Sequence, residues 1–353
     1  MTESETELVP LPYDAAHLVA LVGDDWGERL LGAYRWMILG RTLDARMLGL
    51  QRQGRIGFYG PATGQEAVTV GAWLVSRPED WIFPGLREQL LALARGHSLD
   101  AYLHHLFAND QDPARGRQMP CHPTAREIHY VSMSSVIGTQ ISQAVGMAYA
   151  ARSKRASSVA FAFFGDGATS SNDFHAGMNL AGVQRLPVVF CCTNNQWAIS
   201  VPVDRQSAVA HLSMKATAYG MPGATVDGTD IVAVYAALAP AAERARRGEG
   251  PTMLEFVLFR MTPHSSSDDP SRYQARDWMD RARAHDPVRR LEGLLETLGQ
   301  LDAGQKAGIA RDADLEVRRA ISVAEVVPPP SPESLLQDVL APSAGTGAAT
   351  GRG

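Results

Sequence analysis

The chain has 353 residues, 45% of them hydrophobic and 20% charged, and a formal net charge of -5 at pH 7. This composition is typical of a globular protein with a large core, and the weakly acidic balance excludes a general attraction to nucleic acid. No apolar run approaches the roughly 20 residues needed to span a bilayer, and the N-terminus shows no signal-peptide pattern, so we expect a cytoplasmic protein that binds neither nucleic acid nor membrane.

The first third of the chain is predicted to be mostly helical. We expect a flexible, helical N-terminal arm over residues 1–27, after which apolar residues recur at helical spacing and predict a long amphipathic helix. Thr63 and Glu66 form a capping-box pattern, in which two side chains satisfy the free amide groups at the start of a helix. The predicted helices of this region cover residues 28–52, 63–74, 86–95 and 99–107.

Helices and strands alternate in the middle of the chain. Predicted helices cover residues 141–154, 172–183 and 231–247, and predicted strands cover residues 159–164, 188–192 and 253–259. Continuous apolar strands separated by helices indicate parallel strands buried on both faces. The predicted fold class is therefore α/β, a doubly wound, mostly parallel sheet with helices on both faces. We expect one domain over residues 28–327 and a flexible C-terminal tail over residues 328–353, because the tail lacks apolar content.

Two polar motifs follow the ends of two successive predicted strands. Gly-Asp-Gly at 165–167 follows the first strand, and Asn194-Asn195 follows the second. Ligands bind at the carboxyl ends of strands in such a sheet, and glycines before a helix start allow close approach of an anion. A carboxylate beside a bound phosphate requires a bridging cation, so Asp166 is predicted to be a Mg²⁺ ligand, with oxygens from Asn195 and the turn through Trp197 as further ligands.

These motifs allow two other interpretations. Gly-Asp-Gly alone is more typical of a plain turn, but the asparagine pair in the matching context favours a metal and diphosphate site. A Rossmann-type dinucleotide site would need a Gly-x-Gly-x-x-Gly turn, and residues 165–170 lack the third glycine.

The two motifs resemble the thiamine-diphosphate motif of transketolase-like and 2-oxo acid dehydrogenase enzymes. Residues 28–300 are similar, more specifically, to the alpha subunit of the decarboxylating component of 2-oxo acid dehydrogenase complexes. The matching segments, in order, are 54–60, 116–120 with His122, 134–140, 198–200 and 264–269. Arg-Gln-Met-Pro at 117–120 resembles the branched-chain subclass, and pyruvate and acetoin enzymes are the alternatives.

The resemblance implies thiamine diphosphate held through Mg²⁺, with Asp166, Asn195 and the Trp197 carbonyl on the metal. The implied cofactor contacts are Arg87, Ser135, Ile137, Gly165, Asp166, Gly167, Ala168, Asn195, Trp197, Ile199 and His264. It also implies a potassium site formed by Ser134, Val136, Thr139 and Gln140. An ordinary helix N-cap is the alternative for that segment.

His264, Ser135 and His122 are the implied catalytic residues, and Phe58 would contact the substrate unless it belongs to the core. The implied activity is decarboxylation of a small, branched-chain 2-oxo acid, followed by transfer of the acyl group to the lipoyl domain of an acyltransferase. The resemblance further implies a beta subunit in an α2β2 heterotetramer, without which the chain is inactive.

The sequence departs from the pattern of the family at several positions. Gly85-Leu86 stands where relatives place Gln-Tyr, Thr193 stands where many branched-chain enzymes have arginine, and Val136 and Pro263 replace a proline and a glycine. A pyruvate or acetoin enzyme and a non-catalytic paralogue therefore remain as alternatives.

Overall fold

The computed structural model describes residues 8–337. The α-helices in this range are α1 (Ala15–Val22), α2 (Trp26–Arg52), α3 (Glu66–Val75), α4 (Gln89–Ala94), α5 (Leu99–Phe107), α6 (Thr139–Ser153), α7 (Asn172–Gln184), α8 (Val203–Gln206), α9 (Ile231–Arg246), α10 (Trp278–Ala284), α11 (Pro287–Thr297) and α12 (Ala303–Glu325). The strands are β1 (Trp81–Phe83), β2 (Ala160–Gly165), β3 (Val188–Asn194), β4 (Trp197–Ala198), β5 (Val201–Pro202), β6 (Gly223–Asp227) and β7 (Thr252–Val257). Within this range, no helix is both long enough and apolar enough to cross a bilayer.

The main sheet has the strand order β1-β2-β3-β7-β6, and every neighbouring pair is parallel. This confirms the predicted α/β class. The strands β1 and β6 were not predicted. β1 has only three residues and β6 is mostly exposed, so neither produces a continuous apolar run.

Side chains of β2 alternate between the two faces of the sheet. Phe161 and Phe163 pack with the α3 and α9 side, whereas Ala160, Ala162 and Phe164 pack with α6 and α7. This alternation follows from the two-residue period of a strand, and it explains why a strand covered on both faces is apolar throughout.

A helical layer around α2 packs beside the sheet. α2 contacts α3, α11 and α12, and α12 also packs on α5. No element is predicted from the sequence over residues 287–325, where α11 and α12 lie. α12 buries only small or β-branched side chains, so its apolar stripe is weak: Ala313, Val317, Ala320 and Ala324.

The arm at the N-terminus is packed in the part that the structure describes. α1 buries Leu18 and Val22, and the Tyr13 hydroxyl donates to Asp230 at 2.8 Å. The predicted N-terminal helical arm is therefore confirmed by α1, and residues 8–25 are packed on the rest of the chain instead of being flexible. Residues 1–7 and 338–353 lie outside the described residues, and the proposed domain limits stay a prediction.

The capping box predicted at Thr63 does not form. Helix α3 begins at Glu66, and the Thr63 hydroxyl donates to Asp44 at 2.7 Å instead of accepting from a helix amide. The Glu66 carboxylate accepts from Arg41 at 2.7 Å and from the Gly64 amide at 2.8 Å. The buried Asp44 thereby ties the 57–63 loop to α2, because it also accepts from Tyr59 and from the Ala62 amide.

Candidate functional site

The ends of β2 and β3 lie side by side, as predicted. Gly165, the last residue of β2, is paired with Thr193 of β3. Asp166 and Asn195 follow these two positions, and both residues are buried. The strand register therefore brings together the two predicted halves of the site.

Asp166 carries a buried oxygen that lacks a partner. Its side chain is 1% exposed, and its Oδ2 atom has no hydrogen-bond partner among the described residues. Burial raises the pKa of Asp166 to about 6, and the nearby Arg260 opposes this rise only in part. A buried carboxylate oxygen without a partner is costly, and a bound cation would satisfy it.

The two glycines beside Asp166 have different reasons to be glycine. A Cβ on Gly167 would lie 2.9 Å from the Cβ of Ala198, so this position is closed by the protein itself. A Cβ on Gly165 would meet nothing within 4 Å. Gly165 therefore borders open space next to Asp166. Such space is expected where a ligand approaches the main chain.

The turn after β3 separates the roles of the two asparagines. Asn195 Oδ1 accepts the Trp197 amide at 3.2 Å. The Asn194 side chain points to β7, where its Nδ2 donates to Glu255 at 2.7 Å, and its oxygen accepts the Gln196 amide. Asn195, the asparagine predicted as a ligand, is therefore the candidate, and Asn194 holds the turn.

Trp197 is fixed by aromatic packing. Its ring lies 5.2 Å from the ring of Tyr273 and 5.8 Å from that of Trp278, and β4 pairs with β5 to close a short hairpin. Ile199 in the hairpin turn has a φ of 57°. The backbone of Trp197, whose carbonyl is the predicted third ligand, is therefore held by its neighbours.

Arg87 and His264 form a pair at the same edge of the sheet. Arg87 Nη2 donates to the His264 carbonyl at 2.7 Å and lies 3.3 Å from His264 Nδ1. Because a guanidinium only donates, Nδ1 must accept and the proton of the neutral ring sits on Nε2. Burial, followed by the charges of Arg87 and Arg260, lowers the pKa of His264 to about 4. His264 is therefore a neutral donor near pH 7.

Arg260 is a site residue that the sequence analysis missed. It is fully buried, and its Nη2 donates to the Ile199 carbonyl at 2.8 Å and to Tyr273 at 2.6 Å. Its Nε and Nη1 have no partner in residues 8–337. A buried guanidinium with free donors attracts an anion. One signal in the sequence could have identified it. Arg260 lies three residues beyond the end of β7, and this strand end lies at the same edge of the sheet as the ends of β2 and β3.

Ser135 and His122 are in direct contact. The His122 Nδ1 lies 2.9 Å from the Pro120 carbonyl, which can only accept, so Nδ1 carries the proton. His122 Nε2 is then the acceptor of the Ser135 hydroxyl at 2.5 Å. Burial lowers the pKa of His122, which keeps the ring neutral and available as a base. The structure thus joins two of the three predicted catalytic residues.

The segment that was predicted to bind potassium forms a tight turn before α6. Ser134 Oγ accepts the Val136 amide at 3.1 Å, and the Thr139 hydroxyl donates to the Val136 carbonyl at 3.0 Å. Gln140 donates to Phe163, and its Oε1 is buried without a partner in the described range. The N-cap of α6 is Gly138, so these hydroxyls do not serve as a conventional N-cap.

The remaining predicted contacts differ in exposure. Ala168 is buried beside Asp166, whereas Ile137 is 60% and Ile199 is 54% exposed. Phe58 is half-buried against the helical cluster around α2 and α12. Its contact with a substrate stays a prediction.

The departure at Thr193 has a structural role of its own. The Thr193 hydroxyl donates to the Phe164 carbonyl at 3.2 Å across the sheet, so it supplies no free donor to the site. Leu86 likewise offers no polar group. Arg260, with its free donors, and Arg87 are therefore the two buried arginines at this edge.

The residues fit a magnesium and diphosphate group. Within residues 8–337, no three His, Cys, Asp or Glu side chains cluster as a metal site. A Mg²⁺ site with one carboxylate, one amide oxygen and one carbonyl does not require such a cluster. Asp166 offers the unpartnered oxygen, and the free donors of Arg260 offer the complement for an anion.

Comparisons with known proteins identify one enzyme family. Residues 34–333 match the family model described as "Dehydrogenase E1 component". The chain is 42% identical over 316 residues to the 2-oxoisovalerate dehydrogenase subunit alpha of Bacillus subtilis, covering 89% of this chain and 96% of the relative. It is 43% identical over 276 residues to the 3-methyl-2-oxobutanoate dehydrogenase subunit alpha of Mycobacterium tuberculosis, covering 77% of this chain and 72% of the relative. It is 38% identical over 312 residues to the pyruvate dehydrogenase E1 component subunit alpha of Bacillus subtilis, covering 88% of this chain and 81% of the relative.

Proposed function

The chain belongs to the dehydrogenase E1 component family, and from this membership we propose that it is the alpha subunit of a branched-chain 2-oxo acid dehydrogenase that depends on thiamine diphosphate. The proposed reaction is decarboxylation of a branched-chain 2-oxo acid and transfer of the acyl group to a lipoyl domain. Among bacterial relatives, those named for branched-chain substrates are 42% and 43% identical to this chain, against 38% for those named for pyruvate. This difference supports the branched-chain substrate.

The observation that carries the proposal is the unpartnered oxygen of Asp166 beside the open space at Gly165. Asp166, Asn195 and the Trp197 carbonyl would hold Mg²⁺, and Arg87, Arg260 and His264 would hold the diphosphate. Thiamine diphosphate, when bound, supplies the electron sink that makes loss of CO₂ from a 2-oxo acid possible.

The chain's own side chains have separable tasks in this proposal. His264, neutral and protonated on Nε2, donates a hydrogen bond without adding charge. The Ser135 hydroxyl donates to His122 Nε2 at 2.5 Å, so His122 can take this proton while Ser135 accepts one from a substrate hydroxyl, and can return it by the reverse path. The turn at 134–140 would bind K⁺ through oxygens of Ser134, Val136, Thr139 and Gln140, since the Gln140 oxygen lacks a partner in the described range.

A beta subunit is part of the proposal. Ile137 and Ile199 flank the site and expose more than half of their side chains in this chain alone. Apolar side chains exposed beside a binding site are typical of surfaces that a partner covers. We propose an α2β2 assembly, with a lipoyl domain of an acyltransferase as the visiting partner.

Calorimetric titration of the reconstituted α and β chains with thiamine diphosphate and Mg²⁺ tests the site. Wild type is expected to bind only with Mg²⁺, and Asp166→Ala is expected to lose that dependence together with most of the affinity. Metal-independent binding by wild type would contradict the proposal. Comparing decarboxylation of 3-methyl-2-oxobutanoate and of pyruvate, and carbon–carbon cleavage of acetoin, then tests the substrate, and preference for pyruvate or acetoin would replace the branched-chain assignment.

A further inference from the structure

A chain of buried hydrogen bonds runs from α5 to the candidate site. His105 Nδ1 lies 3.2 Å from Asp112 Oδ1, and His105 Nε2 lies 3.0 Å from the His122 main-chain nitrogen. The His122 ring in turn contacts Ser135. His105 and Asp112 are both buried, and neither belongs to the site described above.

The hydrogen bonds specify one tautomer of His105. Asp112 also accepts the amides of Ala114 at 3.1 Å and Gly116 at 2.9 Å. Although burial alone would raise the pKa of Asp112, these bonds and the one from His105 outweigh it and lower the pKa. Asp112 is therefore an ionised acceptor, and His105 Nδ1 must carry the proton. The bare Nε2 is then free to accept the His122 amide.

His122 depends on this contact because its own segment is irregular. Residues 113–123 contain no helix or strand, and Cys121, just before His122, has a φ of 65°. No main-chain acceptor receives the His122 amide in the part of the chain that the structure describes. The His122 residue is thus held at two points, by His105 at its amide and by Pro120 at ring Nδ1.

We propose that His105 is a positioning residue for the reaction, which fixes the main chain of His122 and thereby aims its Nε2 at Ser135. The reactive role of His122 rests on the proposed function, but the contact with His105 does not. A displacement of about 1 Å at a reacting group costs up to about a hundredfold in rate, so a side chain that acts only through His122 is consequential.

Two substitutions separate this role from packing. His105→Leu keeps an apolar volume but removes both hydrogen bonds. His105→Gln can donate to Asp112 with its amide nitrogen and accept from His122 with its oxygen. If His105 positions His122, the Gln variant is expected to keep the slow amide exchange of His122 and the kcat that the Leu variant loses.

The first measurement does not depend on activity. In the α and β complex, hydrogen exchange of the His122 amide is expected to be slow in wild type and H105Q, and about tenfold faster in H105L. Equal exchange in H105L and wild type would overturn the proposal whether or not the complex decarboxylates 2-oxo acids.

The second measurement is a double-mutant cycle, in which kcat is determined with 3-methyl-2-oxobutanoate as substrate. H105L is expected to lower kcat about tenfold to a hundredfold, with H105Q near wild type. In a chain that already carries His122→Ala, H105L is expected to lower kcat no further, because the two residues act as one unit. An equal loss in both backgrounds would show a merely structural role and overturn the proposal. Absence of turnover in wild type would refute the proposed function, and hydrogen exchange would still decide the contact.

Discussion

Asp166 combines a candidate metal ligand with a carboxyl group that resists ionisation. Metal binding requires the carboxylate, whereas burial raises the pKa of this group to about 6. Protons therefore compete with Mg²⁺ just below neutral pH. His264 does not contribute to this pH dependence, because its pKa of about 4 keeps it neutral down to pH 5.

We expect the affinity of the α and β complex for Mg²⁺ and thiamine diphosphate to fall about tenfold between pH 7 and pH 5. Calorimetric titration at several pH values measures this, after correction for the protonation of the free cofactor. Circular dichroism at each pH verifies that the protein stays folded. A constant affinity across this range would contradict the assignment of Asp166 as a ligand.

The same carboxyl group is expected to destabilise the cofactor-free chain at alkaline pH. Its folded pKa is raised, so its contribution to stability is present below its unfolded pKa and is lost as pH rises through about 6. Asp166→Asn removes the buried charge without changing its size. We expect this substitution to raise the free energy of unfolding by about 2 kcal/mol at pH 8 and by little at pH 4.

Urea unfolding of the cofactor-free chain at the two pH values measures this effect. Asp24→Asn is the matched control, because Asp24 is an exposed aspartate outside the site. A gain in stability by Asp166→Asn at pH 4 as large as that at pH 8 would show that the pKa of Asp166 is not the cause. A stabilising substitution that abolishes binding is the pattern expected of a functional residue.

At the scale of elements, the packing of α3 on α9 depends on one glycine. A Cβ on Gly71 would lie 2.5 Å from the side chain of Val234, so Gly71→Ala forces the two helices apart. We expect a loss of about 1 to 3 kcal/mol in the free energy of unfolding. Gly49→Ala in α2 is the control, since nothing lies within 4 Å of its Cβ, and it is expected to stabilise by about 0.5 to 1 kcal/mol. Thermal unfolding of both variants measures the difference, and similar effects would contradict this view of the interface.

The sequence could predict those elements whose signal is local. Buried parallel strands are apolar throughout, so β2 and β3 were predicted, and with them the adjacent positions of Asp166 and Asn195. β6 is exposed and α12 buries mainly alanine, so neither leaves a strong pattern.

Long-range partners account for the errors at the site. Thr63 and Glu66 match a capping box, but distant Asp44 and Arg41 compete for their side chains. Arg260 follows its strand by three residues, and only the fold shows that it is buried with free donors. Asn195 alone was predicted as the ligand, and the bond from Asn194 to the distant Glu255 is a long-range contact that no local pattern shows.

At the scale of the whole molecule, the site is bordered by an apolar rim on this chain. Val136 is 69% exposed and, with Ile137, lies on the loop that carries Ser135. Such side chains beside polar groups are typical of a surface that another subunit covers. The candidate site is therefore expected to be complete only in the assembly.

We expect the isolated chain to show no turnover of 2-oxo acids. Activity is expected to appear as the β chain is added and to saturate when the two chains are present in equal amounts. Val136→Asp keeps the main-chain carbonyl of the predicted potassium site but places a charge on the rim. It is expected to raise the α to β dissociation constant about tenfold or more, because the charge would lose water at the interface. Val326→Asp is the matched control, since Val326 is 80% exposed on the far end of α12. Sedimentation velocity of the mixtures measures the association. Turnover by the isolated chain, or equal weakening by both substitutions, would contradict an α to β interface at this rim.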